Sequence, residues 1–146
     1  MAIDKKFVDQ FINITSKAAL ATSYLVGKKD KVAADKAAVD SMRSELNKLN
    51  IKGQIVIGEG ELDEAPMLYI GEKLGTKNGP ELDIAVDPLE GTNFAANNLP
   101  GSLSVIAISE KDNLFNAPET YMEKISTKVK EKNVVDLDFS IKKKYF

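Results

Sequence analysis

The sequence predicts an α+β fold, with two N-terminal helices followed by the strands of a sheet. Three observations predict it. Apolar residues recur at helical spacing from Phe7 to Leu49. Short β-branched runs then replace that pattern, at Gln54 to Ile57, Leu82 to Val86 and Leu103 to Ser109. Acidic residues gather directly behind two of those runs, where α/β proteins collect ligands.

The first helix is expected to start at an Asp4 cap and to end at Gly27, burying Phe7, Val8, Phe11, Ile12, Ala18, Ala19 and Leu25. Lys28 to Lys31 make a charged turn. A second helix is expected from Val32 to Asn50, with an alanine-rich face of Ala34, Ala37, Ala38, Met42, Leu46 and Leu49 that permits close packing. Gly53 marks a turn before the first strand. Met67 to Leu74 suit helix or strand equally, and Thr76 to Pro80 form a loop. Pro88 is expected to stop the strand ending at Val86. Lys111-Asp112-Asn113 reads as a hairpin turn into Leu114-Phe115. Tyr121 to Ile125 and Val134 to Leu137 suit further strands, and Ser140 suits the cap of a helix begun near the end.

Composition narrows the function classes. The 146 residues make one domain, and 43% hydrophobic with 29% charged residues describes a globular chain. A net charge of −2 provides no field to draw nucleic acid, and the Lys142-Lys143-Lys144 run reads as a solvated end. No apolar run reaches the roughly 20 residues that span a bilayer, and Met1 to Phe7 lack the apolar core of a signal peptide. With no cysteine, a cytoplasmic location is expected. The chain also has no histidine, so it holds no Ser-His or Cys-His triad and no imidazole ligand. A metal here would sit on oxygen, which favours Mg²⁺ or Mn²⁺.

Two acidic groups follow the strands: Glu59, Glu61 and Asp63 behind the first, Asp87 and Glu90 behind the second. Carboxylates gathered together raise one another's pKa, and divalent cations remove that cost. Asp87-Pro88-Leu89-Glu90-Gly91-Thr92 adds a stiff corner, a glycine that lets an anion approach, and a threonine that can open a helix toward phosphate. Each cluster taken singly also suits a solvated turn or a helix cap. Asp35, by pattern alone, is a solvated helical residue; Asp30 and Asp40 stand in no special context.

At these residues the chain resembles the class II fructose-1,6-bisphosphatases, within the lithium-sensitive sugar and inositol phosphatase superfamily. The resemblance is carried by Asp30-Lys31 through Ala34-Asp35, by Ile55-Val56-Ile57-Gly58-Glu59-Gly60-Glu61, and by Asp63-Glu64-Ala65-Pro66-Met67-Leu68-Tyr69-Ile70-Gly71-Glu72. It continues through Asp83-Ile84-Ala85-Val86-Asp87-Pro88, Asn116-Ala117-Pro118 and Tyr121-Met122-Glu123-Lys124. It implies a layered α-β-α-β-α sugar-phosphatase fold, of which residues 1–146 are the N-terminal metal- and phosphate-binding part, with a mixed sheet packed by two helices. It implies Mn²⁺ or Mg²⁺ on Asp35, Glu59, Asp87 and Glu90, which replaces the solvated reading of Asp35. It gives Thr92 and Asp63 the task of orienting and deprotonating the attacking water. Glu90, Gly91, Thr92 and Tyr121 match positions that contact the sugar phosphate, and Lys31 is a further candidate.

The implied activity is metal-dependent hydrolysis of the 1-phosphate of fructose 1,6-bisphosphate by activated water. That activity belongs to gluconeogenesis and to carbohydrate and glycerol metabolism. Alternatives are sedoheptulose-1,7-bisphosphatase or inositol-monophosphatase-like activity, or a fragment that binds metal, sugar phosphate or a partner subunit without turnover. The expected partner is a small sugar bisphosphate, in a homo-oligomer (a dimer or tetramer), with no nucleic acid and no membrane. The stretch Asn93 to Ser102 departs from the family pattern, and nothing matches the family's second half. The chain is therefore expected to be a fragment, a truncated protein, or one half of an assembly of two chains.

Overall fold

The computed structural model describes residues 5–59, 68–115 and 128. Helix α1 (Lys5–Ser23) buries Phe7, Phe11, Ile14 and Ala18, a stripe whose steps of four, three and four residues keep one face inward. Val8, Ile12 and Ala19 fall outside that stripe and are exposed, so the buried face is narrower than the sequence suggested. The helix ends at Ser23, and a turn carries the chain to Gly27 at φ 76°.

Helix α2 (Lys31–Leu46) begins where Asp30 Oδ1 accepts the Ala33 N–H at 2.9 Å. Asp30 is thus the N-cap, a role its position in Asp-x-x-Ala permits. The helix stops at Leu46, short of Asn50, and is followed by turns. It buries Ala34, Ala38, Val39, Met42 and Leu46; Ala37 is only half-buried. Small side chains at Ala18, Ala34 and Ala38, all fully buried, let the two helices approach closely. The hydroxyl of Thr22, itself buried, points to the Ala34 carbonyl at 3.4 Å.

The sheet has the order β2-β1-β3-β4, where β1 is Lys52–Ile57, β2 is Lys73–Leu74, β3 is Glu81–Glu90 and β4 is Leu103–Glu110. β1 and β3 run parallel, while β2 and β4 run antiparallel to their neighbours, which makes the sheet mixed. Strand alternation puts Ile55, Ile84 and Val86 into the core with the helices. The fold is α+β, as expected.

Two expectations about single residues of the sheet fail here. Gly53 is no turn: it is buried inside β1, paired with Leu74 and Leu82, and a Cβ there would lie 2.7 Å from Ile84 Cδ1. Nor does Pro88 stop its strand. β3 continues to Glu90, and the buried Pro88 falls between Asp87 and Glu90, where the register with β4 shifts. At such an irregularity no ladder bond is asked of the missing proline N–H. Leu68 to Glu72 are irregular before the short β2. Leu114 and Phe115 follow the expected turn without forming a strand. The Asp4 cap, the strands expected at Tyr121 to Ile125 and Val134 to Leu137, the lysine run and the Ser140 helix lie outside the described residues.

Candidate active site at the carboxyl ends of two parallel strands

The parallel pairing of β1 and β3 decides where the acidic residues go. Ile57 pairs with Ala85. Glu59 and Asp87 each come two residues later, so Glu59 leaves β1 beside the stretch of β3 that carries Asp87, toward the same end of the sheet. Gly58 makes the exit of β1 possible: a Cβ there would sit 2.1 Å from the Leu68 carbonyl oxygen. That close approach lets the Glu59 N–H donate to Leu68 O at 2.9 Å, and it holds Glu59 half-buried.

The end of β3 supplies two more groups. Burial first, and then the hydrogen bond and negative charge of Glu90, push the Asp87 carboxyl up from 3.8 to about 6. The Leu89 N–H opposes this rise, and Asp35 adds to it by charge. Asp87 therefore senses two other acids, Glu90 on its own strand and Asp35 on α2. Burial also raises the pKa of Asp35, whose Oδ1 is buried with no hydrogen-bond donor among the described residues. No lysine or arginine is among the groups that shift Asp87 or Asp35.

Beyond Glu90 the chain turns sharply. Gly91 takes φ 78°, a region closed to most residues with a side chain, and the Ser102 hydroxyl donates to its carbonyl at 3.0 Å. Thr92 opens α3 (Thr92–Ala96), as the sequence suggested, and is half-buried. The helix is one turn long, and Pro100 follows it without being needed to end it. Main-chain bonds strap α3 to the α1–α2 connection: Gly27 N–H donates to Ala95 O at 3.0 Å and Lys29 N–H to Ala96 O at 2.8 Å. α2 is also fixed from its other end, where Arg43 grips Glu72 with two bonds of 2.7 and 3.2 Å. Asp35 and Thr92 thus stand on elements that are tied together.

The sequence-predicted residues divide as follows. Asp87 is brought within electrostatic reach of Glu90 and of Asp35, and Glu59 stands at the adjoining strand end. Gly91 and Thr92 follow directly. Lys31 is exposed at the first position of α2, one turn before Asp35, and forms no ion pair among the described residues. Asp63, Glu61 and Tyr121 lie outside the described residues. Sequence reading missed Ser102, which locks Gly91 from eleven residues away; no local signal marks it.

The donor set suits a hard divalent cation: carboxylate oxygens only, one of them buried without a donor, two of them sharing a hydrogen bond. Among the described residues no group of three acids is drawn tightly enough to cage an ion by itself. The chemistry fits a metal, while the side chains stand apart from a closed coordination shell.

The family model for the bacterial fructose-1,6-bisphosphatases, glpX-encoded, matches residues 5–145. The chain belongs to this family. Among its relatives, the D-fructose 1,6-bisphosphatase class 2/sedoheptulose 1,7-bisphosphatase of Synechococcus sp. (strain CC9902) is 50% identical over 135 residues, covering 92% of this chain. The protein of the same name from Prochlorococcus marinus (strain MIT 9303) is 47% identical over 135 residues, again 92% of this chain. That of Synechococcus sp. (strain RCC307) is 48% identical over 138 residues, 94% of this chain. The chain spans about 40% of the length of these curated relatives. A solved extragenic suppressor from Pyrococcus furiosus superposes with a TM-score of 0.47 at 19% identity, covering 74% of this chain and 42% of that one. Among the described residues no helix is long and apolar enough to cross a membrane.

Proposed function

We propose that this chain carries the cation- and phosphate-binding half of a sugar bisphosphatase that releases the 1-phosphate of fructose 1,6-bisphosphate. The observation that carries the reading is Asp87 held beside Glu90 and within reach of Asp35, next to the Glu59 strand end, with no lysine or arginine among the groups that shift Asp87 or Asp35. Family membership supports it, as do the relatives' names.

Asp35, Glu59, Asp87 and Glu90 would hold Mn²⁺ or Mg²⁺. When bound, a divalent cation offsets the gathered negative charge and polarises phosphoryl oxygens. The chain's own groups then position the reactants. The Thr92 hydroxyl orients a water toward phosphorus, and Asp63 takes the proton the water loses. The bond between phosphorus and the sugar C1 oxygen breaks, that oxygen gains a proton, and phosphate leaves fructose 6-phosphate behind. Glu90, Gly91 and Tyr121 would line the sugar phosphate, with Lys31 drawing the substrate by charge. Sedoheptulose 1,7-bisphosphate presents the same C1 phosphate and is a second substrate, matching the double name of the relatives. A homo-oligomer in the cytoplasm is the expected setting.

Phosphate release from fructose 1,6-bisphosphate, with and without Mn²⁺, tests the reading. Loss of activity in Glu90→Gln with the circular dichroism unchanged supports it; full activity in that variant ends it. The open arrangement of the acids among the described residues favours one other reading, in which the chain binds cation and sugar phosphate without turnover. Light scattering separates the two. A compact monomer that hydrolyses substrate excludes the binding-only version, and self-association with saturable Mn²⁺ binding but no phosphate release excludes the enzymatic one for this chain.

A further inference from the structure

We propose a second anion site, for a small organic phosphate, at the opposite end of the sheet from the acidic residues. A pocket of about 320 Å³ opens there, at the starts of β1 and β3. That volume is at the lower edge of the range for small-molecule sites. Four lysines line it: Lys52 from β1, Lys73 from β2, Lys77 from the β2–β3 loop, and Lys111 from the turn after β4. Four separate segments thus deliver one kind of charge to one place, in a chain whose net charge is −2.

The two carboxylates in the pocket are already engaged. Glu81 takes Lys111 at 3.0 Å and Lys52 at 3.8 Å. Asp83 is buried and accepts the Asn113 and Leu114 N–H groups at 3.1 and 3.4 Å. Lys73 and Lys77 therefore meet no carboxylate and form no ion pair among the described residues. Their backbones are held firmly. Lys73 pairs with Gln54 in the sheet, and the Lys77 N–H donates to Ile51 O at 3.1 Å, with Lys77 fixed at φ 64°. Ammonium groups carried on a fixed backbone are point-charge binders of phosphate. A phosphate dianion seated between them supplies the charge the pocket lacks, and the remaining space takes a small organic body.

The site is distinct from the candidate active site. From Glu81 to Asp87 β3 runs six residues, about 20 Å at about 3.3 Å per residue. The proposal does not rest on the phosphatase reading.

The test uses inorganic phosphate and pyrophosphate as probes, with chelator present, by calorimetry and by the amide shifts of Gly53 and Leu74. The expected result is saturable binding at one site with shifts at those amides. The double variant Lys73→Gln/Lys77→Gln should weaken it at least tenfold, while Lys36→Gln on α2 leaves it unchanged. Unaltered binding in Asp35→Asn/Asp87→Asn supports the second site, whatever becomes of the phosphatase activity. Equal affinity in the Lys73/Lys77 variant overturns the proposal, as does a response that sodium chloride of the same ionic strength reproduces.

Discussion

At its first residue β3 carries Glu81, and six positions later it carries Asp87. Glu81 stands in solvent between two lysines, which hold its carboxyl below the usual 4.5. Asp87 is half-buried beside Glu90 and Asp35, and its carboxyl rises to about 6. Between them Asp83 is 5% exposed and stays satisfied by two backbone N–H groups. One strand thus treats one functional group in three ways. The difference lies in the company rather than in the residue: ions in water, amides in the interior, and like charges at the strand end. Only the third arrangement leaves a deficit that a bound cation repairs, which is why the acidic end is the place to look for chemistry.

Cation binding gives the largest expected contrast. With Mn²⁺ at a hundred times its dissociation constant, the folded state should gain about 2.7 kcal/mol over the chelated protein. Asp35→Asn/Asp87→Asn should abolish that gain in a thermal melt, whereas Glu81→Gln should leave it whole. Next comes the middle of the strand. Asp83→Ala strands two amides of the β4 turn and should cost about 2 kcal/mol in urea unfolding, with no change in the response to Mn²⁺. Asp30→Ala removes the α2 cap and should cost about 1 kcal/mol.

The pH response sharpens the contrast by sign. Asp87 binds its proton more tightly folded than unfolded, so the chelated protein should gain stability from this group as pH falls through about 6 toward 3.8. Glu81 and Glu45 have lowered pKa values, and their contribution is present above about 4.5 and fades as pH falls below it. The urea midpoint of the protein minus that of Asp87→Asn, followed from pH 7 to pH 4, should therefore rise as pH falls. A flat or falling difference would contradict the buried, cation-poor environment of Asp87. The smallest effect belongs to Glu81→Gln itself, whose exposed pairs are screened by salt: no resolvable change in Tm is expected at 0.15 M NaCl.

Much of this was legible in the residues. Helical periodicity located α1 and α2, and β-branched runs located the cores of β1, β3 and β4. The acid-bearing strand ends followed from where those runs stop. What escaped reading depends on partners distant in the chain. Gly53 resembles a turn until Ile84 occupies the space its side chain would need. Pro88 resembles a strand breaker until a register shift with β4 excuses its missing N–H. Asp35 resembles a solvated helical acid until α2 is seated on the sheet; only the family resemblance marked it. Ser102, Asp83 and the four lysines acquire their roles from contacts eleven to thirty-one residues away or from the sheet order, which no local window contains.

The strap between α3 and the α1–α2 connection is made of main-chain atoms alone. Every amino acid but proline brings the same N–H to that joint, but Lys29 holds a positive φ of 61°, so its sequence can drift only among residues that tolerate the left-handed turn, glycine, asparagine and aspartate first, and β-branched residues would strain it. Mutation can erase the side chains around this hinge point and leave the carrier of Asp35 and the carrier of Thr92 moving as a single body. A proline at Lys29 would remove one of the two bonds, could not take the positive φ, and is the change that would loosen the joint most.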